Sequence, residues 1–140
     1  MLKRAHGMPR LILNELGAYT TDTVYRIRTN VSAKKLVGSF INPLTALSAE
    51  LEGRSYGGGV LEMVPSEIEN LLIPLPEKAV INLRQLDQSV RSLPTDQVLE
   101  KHGNGILNAL GLSKNKQVQL LDRWQKLSNR RQRVSNEVED

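Results

Sequence analysis

Arg54, Ser55 and Tyr56 run directly into Gly57, Gly58 and Gly59, and this string holds the residue types best suited to touching another molecule. An arginine reads guanine edges in bidentate fashion, while hydroxyls and backbone amides hold phosphates. Glycines lack a Cβ, so they permit unusual dihedrals and close approach of a second backbone. The same string also has an internal reading, in which the glycines make a tight turn that Arg54 and Tyr56 lock. Four more cations are candidates for anion contact. Arg26 and Arg28 share one face of an alternating segment and serve either as a solvated edge or as phosphate and base contacts. Lys34 and Lys35 fall near a helix N-terminus, the wrong end for the dipole, which leaves solubility or an anion as their role.

Other chemistries lack their residues. The glycine run is not followed by Lys-Ser/Thr and precedes a strand rather than opening a helix, so it is no phosphate loop of the nucleotide-hydrolase kind. Glu50, Glu52, Glu62, Glu67 and Glu69 have the spacing of a solvated face more than that of an acid/base pair. Serine, histidine and aspartate are present without a nucleophile elbow. With no cysteine, and with His6 and His102 far apart, disulfides and thiolate zinc sites are excluded and no metal site is expected.

The elements that must position these residues are readable in part. Leu11-Ile12-Leu13 and Val24 to Arg28 suggest two antiparallel strands with turn residues Gly17 and Thr20-Thr21-Asp22 between them. Ser32 caps a helix from Ala33 to about Phe40. Asn42 caps the next, with Pro43 in its first turn, Leu44, Leu47 and Leu51 buried, and Gly53 closing it in the left-handed conformation. A strand over Val60 to Met63 and a helical turn at Pro65 follow, ended by Pro74 and Pro76.

Further on, Asn82 caps a helix ending before Pro94. Another starts at Thr95 or Asp96 and breaks at Gly103-Asn104-Gly105, and Ile106 to Leu112 form an apolar turn closed by Gly111. Ser113 caps the longest helix, to about Val134, with an apolar stripe of Leu120, Leu121, Trp124 and Leu127. Lys116, Arg123, Lys126, Arg130 and Arg133 recur opposite that stripe, as a solvated face or as a DNA-backbone or partner surface; Ser135 to Asp140 is expected to fray. The expected class is α+β: a small antiparallel or mixed sheet packed on a helical pair, with a helical C-terminal tail. Residues 1–80 form the α+β part and 81–140 the helical extension.

The 140 residues are enough for a core, and their 39% hydrophobic content is that of a globular domain. No apolar run is long enough to cross a membrane and no signal peptide is visible, which places the chain in the cytoplasm. The net charge of +4 favours an anionic partner only mildly. Its distribution is more telling: five Lys/Arg against two acids over 1–30, four against six over 31–81, and ten against seven over 82–140.

Gly53-Arg54-Ser55-Tyr56-Gly57-Gly58-Gly59-Val60-Leu61-Glu62, with Pro65-Ser66-Glu67 and Ile73-Pro74-Leu75-Pro76, resembles the C-terminal target-recognition region of N6-adenine DNA methyltransferases of restriction-modification systems. Pro9 to Asn14 and Thr21 to Ile27 extend the similarity, so that it spans residues 9–76. The resemblance implies double-stranded DNA as partner, a methyltransferase catalytic domain or subunit beside it, and S-adenosylmethionine as cofactor of the parent enzyme. This chain carries neither the cofactor loop nor the Asn-Pro-Pro-Tyr type tetrapeptide that receives the target adenine; Asn42-Pro43 is followed by Leu44-Thr45 and reads as a helix cap. No cofactor and no catalysis are therefore expected of these residues themselves. A specificity subunit of a multi-subunit restriction system is a related reading, and a helical protein-interaction or oligomerisation module is the alternative. Sheet strands contributed from upstream would complete the fold, and an unpaired edge would invite a homo-oligomer.

Overall fold

The computed structural model describes residues 1–136, which fold as an α+β unit. Strands β1 (Arg4–Ala5), β2 (Arg54–Tyr56) and β3 (Val60–Glu62) form an antiparallel sheet in the order β1-β3-β2. Arg4 and Arg54 both lie opposite Glu62, while Ala5 and Ser55 both lie opposite Leu61. Directly opposed residues share a face, so one side of the sheet carries Arg4, Glu62 and Arg54 and the other turns the buried Leu61 into the core.

Local chemistry sets the first two helices. Ser32 Oγ accepts the Lys35 N–H at 3.3 Å and starts α1 (Ala33–Phe40). Asn42 Oδ1 accepts the Thr45 N–H at 3.0 Å and starts α2 (Pro43–Glu52), while its Nδ2 donates to Ser39 O at 2.7 Å and to Thr45 Oγ1 at 2.8 Å. One buried amide thus joins the end of α1 to the start of α2. From α2, Thr45 donates to the Leu72 carbonyl at 2.8 Å and Ser48 accepts the Leu72 N–H at 3.0 Å. These bonds pin the extended run whose Leu71, Pro74 and Pro76 are buried.

Helix α3 (Pro65–Glu69) is one short turn, and α4 (Leu83–Ser92) begins at Asn82, whose Oδ1 accepts the Gln85 N–H at 3.0 Å. Helices α5 (Thr95–Ala109) and α6 (Lys114–Asn136) are separated by Gly111 at φ 84°, a value that only glycine adopts without strain. Helix α6 lies along α2 and the Gly57–Gly59 turn. Phe40, Ala46, Ala49, Leu61, Met63, Leu99 and Trp124 then share one apolar core with Met1 and Met8.

Four expectations are corrected. Residues 11–13 and 25–28 are not strands; only Val24 makes a bridge, to Leu2. Alternating apolar residues report which side chains can be buried, not whether a backbone partner is available, and the edge of β3 is taken by Arg4–Ala5. Gly53 is extended (φ −76°, ψ 170°), since the chain passes straight into β2. Leu51 is exposed because α2 turns its small residues Thr45, Ala46, Ser48 and Ala49 inward, which lets α6 approach closely. Helix α5 does not break at Gly103 to Gly105: a Cβ on Gly103 would stand 2.4 Å from Pro43 Cδ, so this glycine is a notch for α2. Of the end expected to fray, Ser135 and Asn136 continue α6 and 137–140 lie outside the described residues.

Candidate functional site

The glycine turn joins β2 to β3 through two successive left-handed residues, Gly58 (φ 73°) and Gly59 (φ 66°). A residue with a Cβ is strained at either position, which is why the sequence needs glycines here. Gly57 and Gly58 are exposed, with open space around them, and Gly59 is buried. The residue that holds the turn is not Arg54. Arg131 of α6 donates from Nη1 to the Gly59 carbonyl, from Nη2 to His6 O at 2.9 Å, and to Glu50 through Nε at 3.0 Å and Nη2 at 2.7 Å. With side chains 5% and 3% exposed, Arg131 and Glu50 form a desolvated bidentate pair.

Arg54 instead points to solvent, 67% exposed, and its Nε lies 2.5 Å from Glu67 Oε1. The other oxygen of Glu67 accepts the Val64 N–H at 2.8 Å. Burial alone would push the Glu67 carboxyl up. The Val64 hydrogen bond, with the hydrogen bond and charge of Arg54, overrides it and sets the net shift downward. Across the sheet, Arg4 pairs with Glu62 at 3.2 Å and stacks over the Tyr56 ring, 5.0 Å from its centroid. The solvent face of the sheet is therefore an aromatic ring with two arginine–glutamate pairs, while Ser55, exposed at the edge strand, lies on the Leu61 side.

The second group of predicted residues lies on an arm. Residues 9–31 form a long loop without a strand or helix, closed near its tip where Asn14 bonds both the N–H and the carbonyl of Ala18. Its returning half is held by Tyr25 N–H to Met1 O at 2.8 Å and by Lys3 N–H to Thr23 O at 3.1 Å, and Lys3 Nζ sits 4.8 Å from the centre of the Tyr25 ring. Arg26 and Arg28 follow this anchor, exposed and without an ion-pair partner among the described residues. Lys34 pairs with Glu15 of the arm at 3.3 Å, while Lys35 is half-buried in the first turn of α1.

The predicted residues thus fall into two places: Arg26, Arg28, Lys34 and Lys35 around the arm, and Arg54 to Gly59 on the far edge of the sheet. A cleft of about 300 Å³, lined by Leu2, Lys3, Arg4, Asp22, Thr23 and Glu62, lies between arm and sheet. Arg4 belongs to both regions and was missed because a strand of two residues leaves no periodic trace. Arg131 was missed among the neighbouring surface cations, although its position seven residues past Trp124 puts it on the apolar side of α6.

Asn42 is fully buried with its amide spent on Ser39 and Thr45, so it is a cap and offers nothing to a base. The glycine turn lies between antiparallel strands, and its Gly59 carbonyl is taken by Arg131. Among the described residues no group of three or more His, Asp or Glu stands ready for a metal, and no helix is long and apolar enough to cross a membrane.

A family model described as "Type II methyltransferase M.Eco57I, C-terminal domain" matches residues 1–107. The chain belongs to this family. The match covers the arm, the sheet, the glycine turn and α1 to α4, and it ends inside α5. It places the chain in the C-terminal region of a type II methyltransferase of restriction-modification systems, as the resemblance over 9–76 implied. Comparison with curated proteins and with solved structures returns no match.

Proposed function

We propose that this methyltransferase C-terminal domain is the DNA sequence-recognition portion of an adenine-specific enzyme and has no catalytic role of its own. Methyl transfer, with its S-adenosylmethionine, then belongs to a separate catalytic domain or subunit, and the setting is cytoplasmic. The observation that carries this reading is the 9–31 arm, anchored at its base and displaying Arg26 and Arg28 with no ion-pair partner among the described residues. Loops of this length inside an ordered domain are usually functional. Unpaired arginines on such a loop suit phosphates and guanine edges.

Tyr56 and the exposed Gly57 and Gly58 form a second contact region on this reading. There Arg54 must exchange Glu67 for DNA, whereas Arg26 and Arg28 of the arm give up no ion pair among the described residues. Fluorescence anisotropy with labelled duplexes tests the idea. The chain is expected to bind duplex DNA, and Arg26→Gln with Arg28→Gln to weaken binding by about 1–3 kcal/mol for each bidentate arginine–base pair removed. Affinity unaltered by that double substitution removes the arm from the interface. Leu16 and Tyr19, essentially fully exposed on the same arm, favour a second reading in which its tip docks on the catalytic domain. A gel-filtration shift on mixing with that domain, abolished by Leu16→Ser with Tyr19→Ser, is the corresponding measurement.

A further inference from the structure

Helix α6 lies wholly outside the matched residues 1–107, and its charges are almost all of one sign. From Lys114 to Asn136 it carries seven cations, Lys114, Lys116, Arg123, Lys126, Arg130, Arg131 and Arg133, and one acid, Asp122. Arg131 is buried and paired, and Lys114 and Lys126 meet Glu100 and Asp122. Lys116, Arg123, Arg130 and Arg133 are exposed and have no ion-pair partner among the described residues.

Their spacing places them on one side of the helix, opposite the face that packs on α2 and the glycine turn. Arg123 with Lys126, Lys126 with Arg130 and Arg130 with Arg133 stand three or four residues apart, where like charges repel. Lys116 adds a cation in the first turn, where the helix dipole disfavours it. A face selected for helix stability would interleave acids. This one is complementary to a continuous line of negative charge.

We infer that the outer face of α6 is a rail for the phosphate backbone of duplex DNA, a further contact surface besides the arm and the sheet. The inference rests on the DNA-recognition reading for its partner. Lys116 to Arg133 spans about 26 Å at about 1.5 Å per residue, the length of roughly seven or eight base pairs of duplex. Arg131 fixes the rail to the glycine turn and to the residue 6 backbone, so both surfaces move as one body. Backbone contacts carry no sequence information; the rail supplies affinity and register while the arm supplies choice.

The test is anisotropy of the full chain on two unrelated labelled duplexes across a salt series, comparing wild type, Lys116→Gln/Arg123→Gln/Arg130→Gln and Arg26→Gln/Arg28→Gln. Glutamine is a good helix former, so melting of the triple variant should match wild type. Should it unfold, Arg130→Gln alone reads a third of the effect. The triple variant is expected to bind both duplexes more weakly by the same factor, and to flatten the slope of log K against log salt by up to about 2.7. Unchanged affinity and slope in the triple variant, with loss in the arm variant, overturns the rail and leaves DNA recognition standing. A loss confined to one duplex overturns the backbone assignment. Wild-type chain that binds neither duplex overturns both.

Discussion

Two arginines show how burial decides what an ion pair is worth. Arg131 and Glu50 are almost completely desolvated, and Arg131 also satisfies carbonyls from two other segments. Arg131→Met leaves Glu50 as an uncompensated buried charge and should cost about 3–5 kcal/mol in folding free energy, as breaking buried pairs does. Adding Glu50→Leu should restore part of that. It should not restore all, because the Gly59 carbonyl still lacks its donor, at about 1–3 kcal/mol. Urea unfolding of the two variants checks both statements. Arg54–Glu67 is largely solvent-screened on the arginine side, and Arg54→Ala should cost only about 0.2–1 kcal/mol. Equal losses at Arg54 and Arg131 would contradict the assignment of Arg131 as the residue holding the turn.

At the scale of elements, Gly103 makes the sharpest test of packing. Its ideal Cβ position lies 2.4 Å from Pro43 Cδ and 3.0 Å from Asn42 Cα, so Gly103→Ala cannot be accommodated by moving a flexible side-chain end. Intrinsic propensity favours alanine over glycine in a helix by about 1 kcal/mol. The expected outcome is the reverse: a net destabilisation of about 1–3 kcal/mol from overpacking, with a lowered thermal midpoint. Gly105, with open space around it on the same helix, is the control, and Gly105→Ala should stabilise.

The same comparison shows what was legible in the sequence. Caps at Ser32, Asn42 and Asn82 were readable because their chemistry is local, a side-chain oxygen meeting an N–H three residues on. The glycine turn and the strand after it were readable for a similar reason, whereas the strand before it, Arg54–Tyr56, was not anticipated. Gly103 was misread as a breaker because only the neighbouring helix reveals the close approach, and the arm was misread as strands because its partner edge was already filled. Of the candidate site, Arg26, Arg28 and Arg54 were found exposed as residues able to reach a partner must be. The roles of Arg4 and Arg131 depend on contacts across 58 and up to 125 positions and leave no local pattern.

For the molecule as a whole, His102 and Glu67 are among the groups that make stability fall on acidification, as is the partly desolvated Met1 amine. Burial, and after it the nearby charge of Lys101, holds His102 below the ordinary histidine value, and its Nε2 is buried without a partner. The unfolded chain therefore takes up this proton first, and stability declines as pH falls below about 6.5. The lowered Glu67 gives a contribution that is complete above its ordinary value of about 4.5 and is lost as pH falls below it. Thermal midpoints measured from neutral pH downward should show both declines, and His102→Gln should remove the earlier one. A midpoint independent of pH between 7 and 5 would contradict the burial of His102.

The Arg131 latch also has a consequence for how the chain is made. It joins residue 131 to the carbonyl of residue 6, 125 positions earlier. At about 5–20 residues per second, a ribosome needs roughly 6–25 s to travel that distance. During that interval the nascent glycine turn has no guanidinium on its inner carbonyl and Glu50 has no counter-charge. Residue 6 emerges well before residue 131, so this latch closes only after α6 has been synthesised.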